Sequence, residues 1–201
     1  MLTGCGLMNY ELDILSESLD VIFCGLNPAS SAAAAGYNFS NGSNRFWRVL
    51  QLAGFTERLL QPDEERLLLE YGCGITAVVR RPTRRAQEVS SDEFRQARRG
   101  FEAKMKQYTP HSIAFLGKRA FSIMIDQPKV CWGRQPMDFA GTMSWVLPNP
   151  SGLNRSFTLD ALVSAYSDLR LALEARRSSR IAPRWRRSSM QGDRRATKPK
   201  V

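Results

Sequence analysis

The chain lacks most of the patterns on which metal sites, covalent catalysis and membrane anchoring depend. Its 201 residues contain a single histidine, His111, and four cysteines with no Cys-x-x-Cys spacing. We therefore expect no metal, no cofactor and no histidine-based nucleophile. No run of about 18 apolar residues is present, and the N-terminus lacks a basic flank followed by an apolar stretch, so we expect neither a membrane span nor a signal peptide. A reducing, cytoplasmic setting follows.

Motifs that bind nucleotide phosphates are missing as well. The small-residue loop at residues 25–31 follows an apolar run, but it has neither a P-loop lysine nor a Gly-x-Gly-x-x-Gly pattern. A phosphate-handling α/β enzyme is therefore a weaker hypothesis, which a nucleotide-binding assay would test.

Basic residues are concentrated at the C-terminus. The formal charge is +10, but residues 176–201 hold ten Arg or Lys and one acidic residue, so residues 1–175 are nearly neutral. Residues 177–201 show no apolar periodicity, which predicts a basic, largely disordered tail. The tail is either a solubilising extension or a segment that binds nucleic-acid phosphates, with Trp185 available for base stacking.

Residues 1–176 are long enough for one domain with a sizeable core, since 43% of the chain is hydrophobic. Apolar β-branched runs alternate with segments of helical periodicity, which predicts a mostly parallel sheet covered by helices on both faces. The predicted strands are residues 21–26, 74–79, 112–116 and 144–147. The predicted helices are residues 43–53, 63–71, about 92–108, about 118–125 and 158–176.

Two loops of unusual composition follow predicted strands. Residues 25–31 are Gly-Leu-Asn-Pro-Ala-Ser-Ser, and residues 148–155 are Pro-Asn-Pro-Ser-Gly-Leu-Asn-Arg. Open α/β sheets place ligands at the carboxyl ends of their strands, so we expect both loops to line one crevice. The first loop offers an asparagine amide, and the second offers a stiff turn with an exposed leucine. This pairing predicts a nucleotide pocket beside an apolar wedge.

Seven short segments between about residues 20 and 176 carry a more specific signal. They are Gly25-Leu26-Asn27-Pro28, Gly36-Tyr37-Asn38-Phe39, Asn44-Arg45-Phe46-Trp47, Arg81-Pro82-Thr83, Glu88-Val89-Ser90, Leu116-Gly117-Lys118 and Asn149-Pro150-Ser151-Gly152-Leu153. In this order and at these separations they resemble the bacterial mismatch-specific uracil-DNA glycosylases, called Mug, which are relatives of thymine-DNA glycosylase. The resemblance implies an α/β fold, a three-layer α/β/α sandwich with a mostly parallel central sheet.

The same resemblance implies an activity and its partners. The expected enzyme is a monofunctional DNA glycosylase of base excision repair that hydrolyses the glycosidic bond of uracil, and of thymine or modified pyrimidines, opposite guanine. Its expected partner is double-stranded DNA with G:U or G:T mispairs, with single-stranded DNA as a further one. We expect a monomer at the bacterial nucleoid. The alternative is a catalytically weak module that binds damaged or mismatched DNA without releasing a base.

By the resemblance, Asn27 is the water-positioning catalytic residue. A monofunctional glycosylase must hold a water at C1′ of a cation-like sugar, and an amide orients that water without taking its proton at neutral pH. Slow chemistry is therefore expected. Taken alone, an asparagine before Pro28 also fits an Asx-type turn.

The expected substrate-binding residues follow from the same resemblance. Phe39 corresponds to the aromatic that stacks on the extruded base, and the backbone of Leu26 to a group that reads the pyrimidine edge. Phe39 could otherwise fill the core. Ala32 stands where the family often has a serine near C5 of the pyrimidine, which would admit 5-substituted uracils. Ser31 and Asn149 complete the expected set.

Residues 152–155 resemble the intercalation loop of the family. Leu153 and Arg155 are expected to enter the base stack, while backbone groups of Gly152 and Asn154 pair with the orphaned guanine. A Pro-Gly turn leading into the last helix is compatible with this role.

One position departs from the family. Ala77 stands in the strand where bacterial members usually carry a lysine that contacts the catalytic asparagine. Because amide orientation alone is a weak catalyst, we expect a carboxylate to contribute as a base or by stabilising the sugar cation, and Asp92 is the candidate. Asp92 also fits an ordinary first-turn acid favoured by the helix dipole. Lys118 is expected to be structural or phosphate-facing, so no lyase step is expected.

Overall fold

A five-stranded sheet lies between two layers of helices in the computed structural model, which describes residues 12–181. The strands are β1 Val21–Gly25, β2 Cys73–Ala77, β3 Ser112–Leu116, β4 Gly133–Arg134 and β5 Met143–Leu147. The α-helices are α1 Ser30–Ala35, α2 Phe46–Leu52, α3 Ser91–Tyr108, α4 Lys118–Met124 and α5 Leu159–Ile181. Two 3-10 helices cover Pro62–Leu69 and Ala86–Glu88.

The sheet has the order β2-β1-β3-β5-β4. Strands β2, β1, β3 and β5 are parallel, and they are short buried runs because helices cover both of their faces. Their carboxyl ends therefore lie along one edge of the sheet. Strand β4 runs antiparallel to β5, with Gly133 opposite Val146, and forms the outer strand on that side.

The alternation of side chains along β1 separates two hydrophobic cores. Phe23 belongs to the core under α2 and α5, where its ring stacks on Tyr166 at a centroid distance of 6.0 Å. Ile22 and Cys24 belong to the opposite core, under α3 and α4. This arrangement is the three-layer α/β/α sandwich that the sequence predicted.

The structure differs from the predicted elements at four places. Pro62–Leu69 is a 3-10 helix, because Leu68 is its only fully buried apolar side chain and an amphipathic α-helix would gain little there. Helix α1 was not predicted, since Ser-Ser-Ala-Ala-Ala-Ala has no apolar periodicity, although alanine is a strong helix former. Strand β4, with two residues, is too short to show alternation. Helix α5 continues to Ile181 rather than ending near residue 176.

The remainder of the predicted basic tail, residues 182–201, lies outside the described residues. Within residues 12–181 no helix is both long and apolar enough to cross a bilayer.

Candidate active site

A cavity of about 350 Å³ opens at the carboxyl edge of the sheet. The loops that follow β1, β2 and β5 form its wall together with residues 38–44. Both loops singled out in the sequence therefore meet in one crevice. The predicted site residues that line it are Leu26, Asn27, Ala32, Phe39, Asn149, Leu153 and Asn154. The predicted site residues outside this lining are Ser31, Asp92, Gly152 and Arg155.

The side-chain amide of Asn27 is held in one orientation. Its Nδ2 donates to Thr83 Oγ1 at 2.7 Å, to the Arg81 carbonyl at 2.9 Å and to the Pro28 carbonyl at 3.1 Å. Carbonyl oxygens only accept hydrogen bonds, so the nitrogen must face them and Oδ1 must face away. Within residues 12–181 no group donates to this Oδ1. The Asx-type turn is thus not formed, and the oxygen is available to a water or a substrate.

Thr83 joins the loops that carry Asn27 and its partners. It is buried and forms an isolated parallel bridge with Ala29, in which Ser30 N donates to Thr83 O at 2.8 Å and Thr83 N donates to Pro28 O at 3.1 Å. Its Oγ1 donates to the Arg85 carbonyl at 2.9 Å, which leaves that oxygen free to accept from Asn27. The Thr83 loop therefore gives Asn27 the support that Ala77, a buried residue in the cavity wall, does not.

Phe39 lines the cavity and packs against the core. It stacks on Phe46 with ring centroids 4.0 Å apart and an interplanar angle of 23°. Its φ of +54° lies in the left-handed region, which is uncommon for a large side chain. The adjacent Asn38 N donates to Glu65 Oε2 at 2.7 Å, and both of these residues are buried. This buried hydrogen bond stabilises the turn that carries Phe39.

Leu26 and Asn149 approach each other across Gly117. A Cβ at Gly117 would lie 3.6 Å from Leu26 Cδ1 and 4.0 Å from Asn149 Cβ, and the φ of +112° itself favours glycine. Asn149 Oδ1 accepts from Ser151 N at 2.9 Å, so its Nδ2 is the end of the amide left for a ligand. Ala32 is buried on α1 and adds a methyl group to the wall.

Hydrogen bonds from Arg45 hold the loop at residues 149–157 in place. The guanidinium donates to four backbone carbonyls, at 2.7 Å to Phe157, 2.9 Å to Asn154, 3.1 Å to Ser151 and 3.3 Å to Pro150. Its backbone N donates to Pro150 O at 3.0 Å as well. One side chain therefore binds four carbonyls of the loop and restrains its shape.

Leu153 projects from this fastened loop at the mouth of the cavity. It is 82% exposed, the most exposed large apolar side chain in the described part of the chain. Gly152 precedes it at a point of close approach, where a Cβ would come within 2.5 Å of Ser43 Oγ. Asn154 N donates to Ser151 O at 2.9 Å, so this N–H already has a partner. The N–H and C=O of Gly152, in contrast, form no hydrogen bond within residues 12–181.

Asp92 lies away from the cavity lining. It occupies the first turn of α3, is 79% exposed and pairs with Arg95 at 2.7 Å. Ser90 caps the same helix by accepting from Glu93 N, and hydrogen bonds from Ser90 N and Arg81 lower the pKa of the Glu93 carboxyl. This is the environment of a first-turn acid favoured by the helix dipole.

A cluster of charged and polar side chains lies behind the cavity wall, and the sequence did not predict it. Thr76 lines the cavity, and its Oγ1 donates to Asp13 Oδ1 at 2.6 Å and accepts from Lys104 Nζ at 3.2 Å. Lys104 Nζ also lies 2.8 Å from Asp13 Oδ2. Burial raises the pKa of the nearby Cys24 thiol far above its ordinary value, so this cysteine is not a nucleophile at neutral pH.

Within residues 12–181 no group of three or more His, Cys, Asp or Glu side chains is placed to hold a metal ion. The family model of the uracil DNA glycosylase superfamily matches residues 12–170. The chain therefore belongs to the uracil DNA glycosylase superfamily. Membership indicates a hydrolase of the DNA glycosylase class that acts on uracil, with DNA as its partner.

A solved structure shares the fold. It is the solution NMR structure of a candidate uracil DNA glycosylase from Methanosarcina acetivorans, with a TM-score of 0.53 and 17% sequence identity. The match covers 79% of this chain and 95% of that one. At this identity the likeness supports the fold alone.

Proposed function

We propose that the protein is a monofunctional, mismatch-specific uracil-DNA glycosylase of base excision repair. Its substrate is uracil opposite guanine, with thymine and modified pyrimidines as further substrates. The observation that carries the proposal is the fixed amide of Asn27 at the wall of a cavity large enough for a base. Its Oδ1, which has no partner within residues 12–181, faces away from the three acceptors that bind Nδ2. The exposed Leu153 beside the same cavity supplies the wedge that flipping a base from a duplex requires.

In the proposed hydrolysis, the extruded pyrimidine enters the cavity and stacks on Phe39, and a water donates a hydrogen bond to Asn27 Oδ1. As the C1′–N1 bond breaks, its electron pair leaves with the base and the sugar becomes cation-like. The water oxygen then bonds to C1′ and its proton passes to solvent, because an amide does not accept it at neutral pH. The anionic base takes up a proton from solvent, so the products are the neutral free base and an abasic site.

The cavity wall supports recognition of the leaving pyrimidine. Asn149 Nδ2 has no acceptor among the described residues and can donate to a carbonyl oxygen of the base, since Ser151 N already uses its Oδ1. A donor at that position also stabilises the negative charge that develops on the base. Ala32 places only a methyl group in the wall, which leaves room for a 5-substituent and supports activity on thymine.

Recognition of the opposite strand is assigned to the wedge loop. The N–H and C=O of Gly152 have no partner within residues 12–181, and the loop that presents them is fastened by Arg45. They can therefore pair with the guanine that loses its partner. The Asn154 N–H cannot join them without breaking its bond to Ser151.

A binding module with weak catalysis is the second candidate, and one observation favours it. No Asp or Glu is among the described residues that line the cavity, so no carboxylate there activates the water or stabilises the sugar cation. A phosphate-handling enzyme has less support, because Arg84 is the only charged side chain in that lining.

Release of free base from matched duplexes tests the proposal. The duplexes differ only in the target pair, which is G:U, G:T, A:U or G:C, and abasic sites are revealed by alkaline strand cleavage. We expect release from G:U, slower release from G:T and none from G:C. Binding to an uncleavable abasic-analogue duplex without release from any of them would favour the binding module. A protein that neither binds nor cleaves would overturn the proposal.

A further inference from the structure

Lys118, Trp132 and Phe157 form a cationic and aromatic group at the surface, the Trp132 cluster, in which Trp132 is exposed and the other two residues are half-buried. Lys118 Nζ lies over the Trp132 ring at 4.5 Å from its centroid. The rings of Trp132 and Phe157 meet edge to face at a centroid distance of 5.3 Å. Trp132 is 42% exposed, whereas Trp47 and Trp145 are both buried. The cluster thus exposes part of a large aromatic side chain beside a positive charge.

The cluster lies on the same edge of the sheet as the cavity. Lys118 follows Gly117, the residue that separates the cavity-lining Leu26 and Asn149. Trp132 directly precedes β4, and because Gly133 is opposite Val146, Trp132 comes level with Leu147 at the carboxyl end of β5.

Phe157 connects the cluster to the wedge loop. Its carbonyl accepts from Arg45, the same side chain that binds the carbonyls of Ser151 and Asn154. Arg45 therefore holds the segment of the Trp132 cluster that contains Phe157 next to the loop that contains the exposed Leu153.

The chemistry of the cluster fits a phosphodiester strand. Lys118 forms no ion pair within residues 12–181, so its charge is uncompensated at the surface. An ammonium group binds a phosphate oxygen, and an aromatic ring next to it covers the apolar face of a deoxyribose. The contact of Lys118 with the ring holds the ammonium in place, so less side-chain entropy is lost when a phosphate binds.

We propose that the Trp132 cluster is a subsite for the DNA backbone next to the extruded nucleotide, with Lys118 on a phosphate and Trp132 against a sugar. The subsite rests on the proposed function insofar as a nucleotide of the same strand occupies the cavity. It carries no base preference, because it touches only groups that every nucleotide shares. It therefore serves duplex and single-stranded DNA alike, and it sets how far the bound strand extends beyond the cavity.

Salt-dependent binding of the full chain tests the subsite. The ligands are a duplex and a single strand, each with one tetrahydrofuran abasic analogue that the enzyme does not cleave. Loss of one phosphate contact in Lys118→Gln is expected to make the negative slope of log affinity against log salt shallower, by about 0.9 for the duplex and about 0.7 for the single strand. Trp132→Leu is expected to weaken binding about tenfold with little change in slope.

Matched controls lie away from this edge of the sheet. Lys106 is an exposed lysine in the last turn of α3, and Leu171 is an exposed apolar residue on α5. Lys106→Gln and Leu171→Ala are expected to bind as the wild type does. Trp132→Phe keeps an aromatic partner for Phe157, so it provides a second test if Trp132→Leu does not fold, with an expected loss of about twofold to threefold. Slopes and affinities equal to wild type for the Lys118 and Trp132 variants would overturn the subsite.

Strands extended on one side only give a sharper readout. Single strands carry the analogue with five nucleotides on its 5′ side or five on its 3′ side. A backbone subsite next to the cavity touches one flank, so the variants are expected to weaken binding to one of these strands and not to the other. Equal losses on both strands would mean that the variants disturb the fold rather than a contact.

Base release from a G:U duplex separates this proposal from the proposed function. If the wild type releases no base while the Lys118 and Trp132 variants lose flank-dependent binding, the glycosylase assignment fails and the subsite stands. If the wild type releases uracil and the variants bind every ligand normally, the subsite fails and the glycosylase assignment stands.

Discussion

Thr83 Oγ1 accepts a hydrogen bond from Asn27 Nδ2 at 2.7 Å, although 56 positions separate the two residues in the chain. This contact decides which end of the amide faces the cavity. It also ties the chemistry of the loop after β1 to the shape of the loop after β2, since Thr83 is bridged to Ala29 by backbone hydrogen bonds. In the assigned reaction Thr83 is a positioning residue, because it acts on the water through Asn27.

The first prediction concerns Thr83. Thr83→Val keeps the shape of the buried side chain but removes the acceptor, so the Asn27 amide keeps only its two carbonyl partners and is expected to lose part of its alignment. Single-turnover release of uracil from a G:U duplex should fall about tenfold, with affinity for an abasic-analogue duplex changed less than twofold. Thr83→Ser restores the hydroxyl and should recover most of the rate. Equal rates for the valine and serine variants would remove Thr83 from the mechanism.

The second prediction separates the two residues that the sequence offered for catalysis. Asn27→Ala removes the acceptor for the water and should slow single-turnover release about 100-fold or more, while mismatch binding is largely kept. Asp92→Asn should leave the rate within about twofold, because Asp92 is exposed, paired with Arg95 and outside the cavity lining. A tenfold loss in the Asp92 variant would contradict this expectation and return Asp92 to the candidate catalytic residues.

Features that depend on residues close together in the sequence could be predicted, whereas contacts between residues far apart in the sequence could not. The four parallel strands, the sandwich and the exposed Leu153 follow from local signals, namely apolar runs that end in glycine and proline. The support of Asn27 by Thr83 does not, because no periodicity links two loops on different strands. Only the Arg81-Pro82-Thr83 match drew attention to that segment, and it gave no partner for Thr83.

The charged contacts behind the cavity could not be predicted from the sequence for the same reason. Lys104 and Asp13 are 91 positions apart, and each is unremarkable in its own helix or loop. Asp92 shows the reverse case. Its position in a capped first turn was read correctly from the sequence, but its distance from the cavity depends on where α3 packs, which the local pattern does not contain.

The third prediction concerns the buried Glu65. Its Oε2 accepts from Asn38 N and thereby supports the left-handed turn at Phe39. Glu65→Ala leaves a buried N–H without this partner, which should destabilise the fold by about 1 to 3 kcal/mol in urea unfolding. The Phe39 ring should also be less ordered, so the KM for a G:U duplex is expected to rise. Glu65→Gln, which keeps an acceptor oxygen, should cost less than Glu65→Ala in both measurements, and an equal cost would contradict the hydrogen-bond role.

The fourth prediction concerns Arg45, which binds four carbonyls of the wedge loop. Arg45→Lys keeps the charge but cannot reach several carbonyls with one planar group, so the loop should loosen. We expect a loss of about 2 to 3 kcal/mol in the free energy of unfolding. Activity on a G:U duplex should fall several-fold more than activity on single-stranded DNA, since only the duplex needs the wedge. Arg48→Lys, at an exposed position on α2, the helix that Arg45 directly precedes, serves as the control and should change neither quantity.

The fifth prediction concerns Leu153 itself. An apolar side chain that is 82% exposed on a fastened loop gains from burial only when something covers it, and the gap left by a flipped base is such a partner. Leu153→Ala should therefore reduce release of uracil from a G:U duplex about tenfold or more and leave release from a single strand within about twofold. Leu153→Met keeps apolar reach and should retain most of the duplex activity.

The base opposite uracil provides an independent test of the same loop. Replacing the guanine opposite uracil by adenine should slow the wild type, because the uracil is then well paired and the free backbone groups of Gly152 face a different base edge. The penalty should shrink in Leu153→Ala, since a loop that no longer fills the stack places those groups less accurately. If Leu153→Ala costs the same on single-stranded and duplex substrates, and the penalty for adenine is unchanged, the loop is a structural turn and the wedge assignment is wrong.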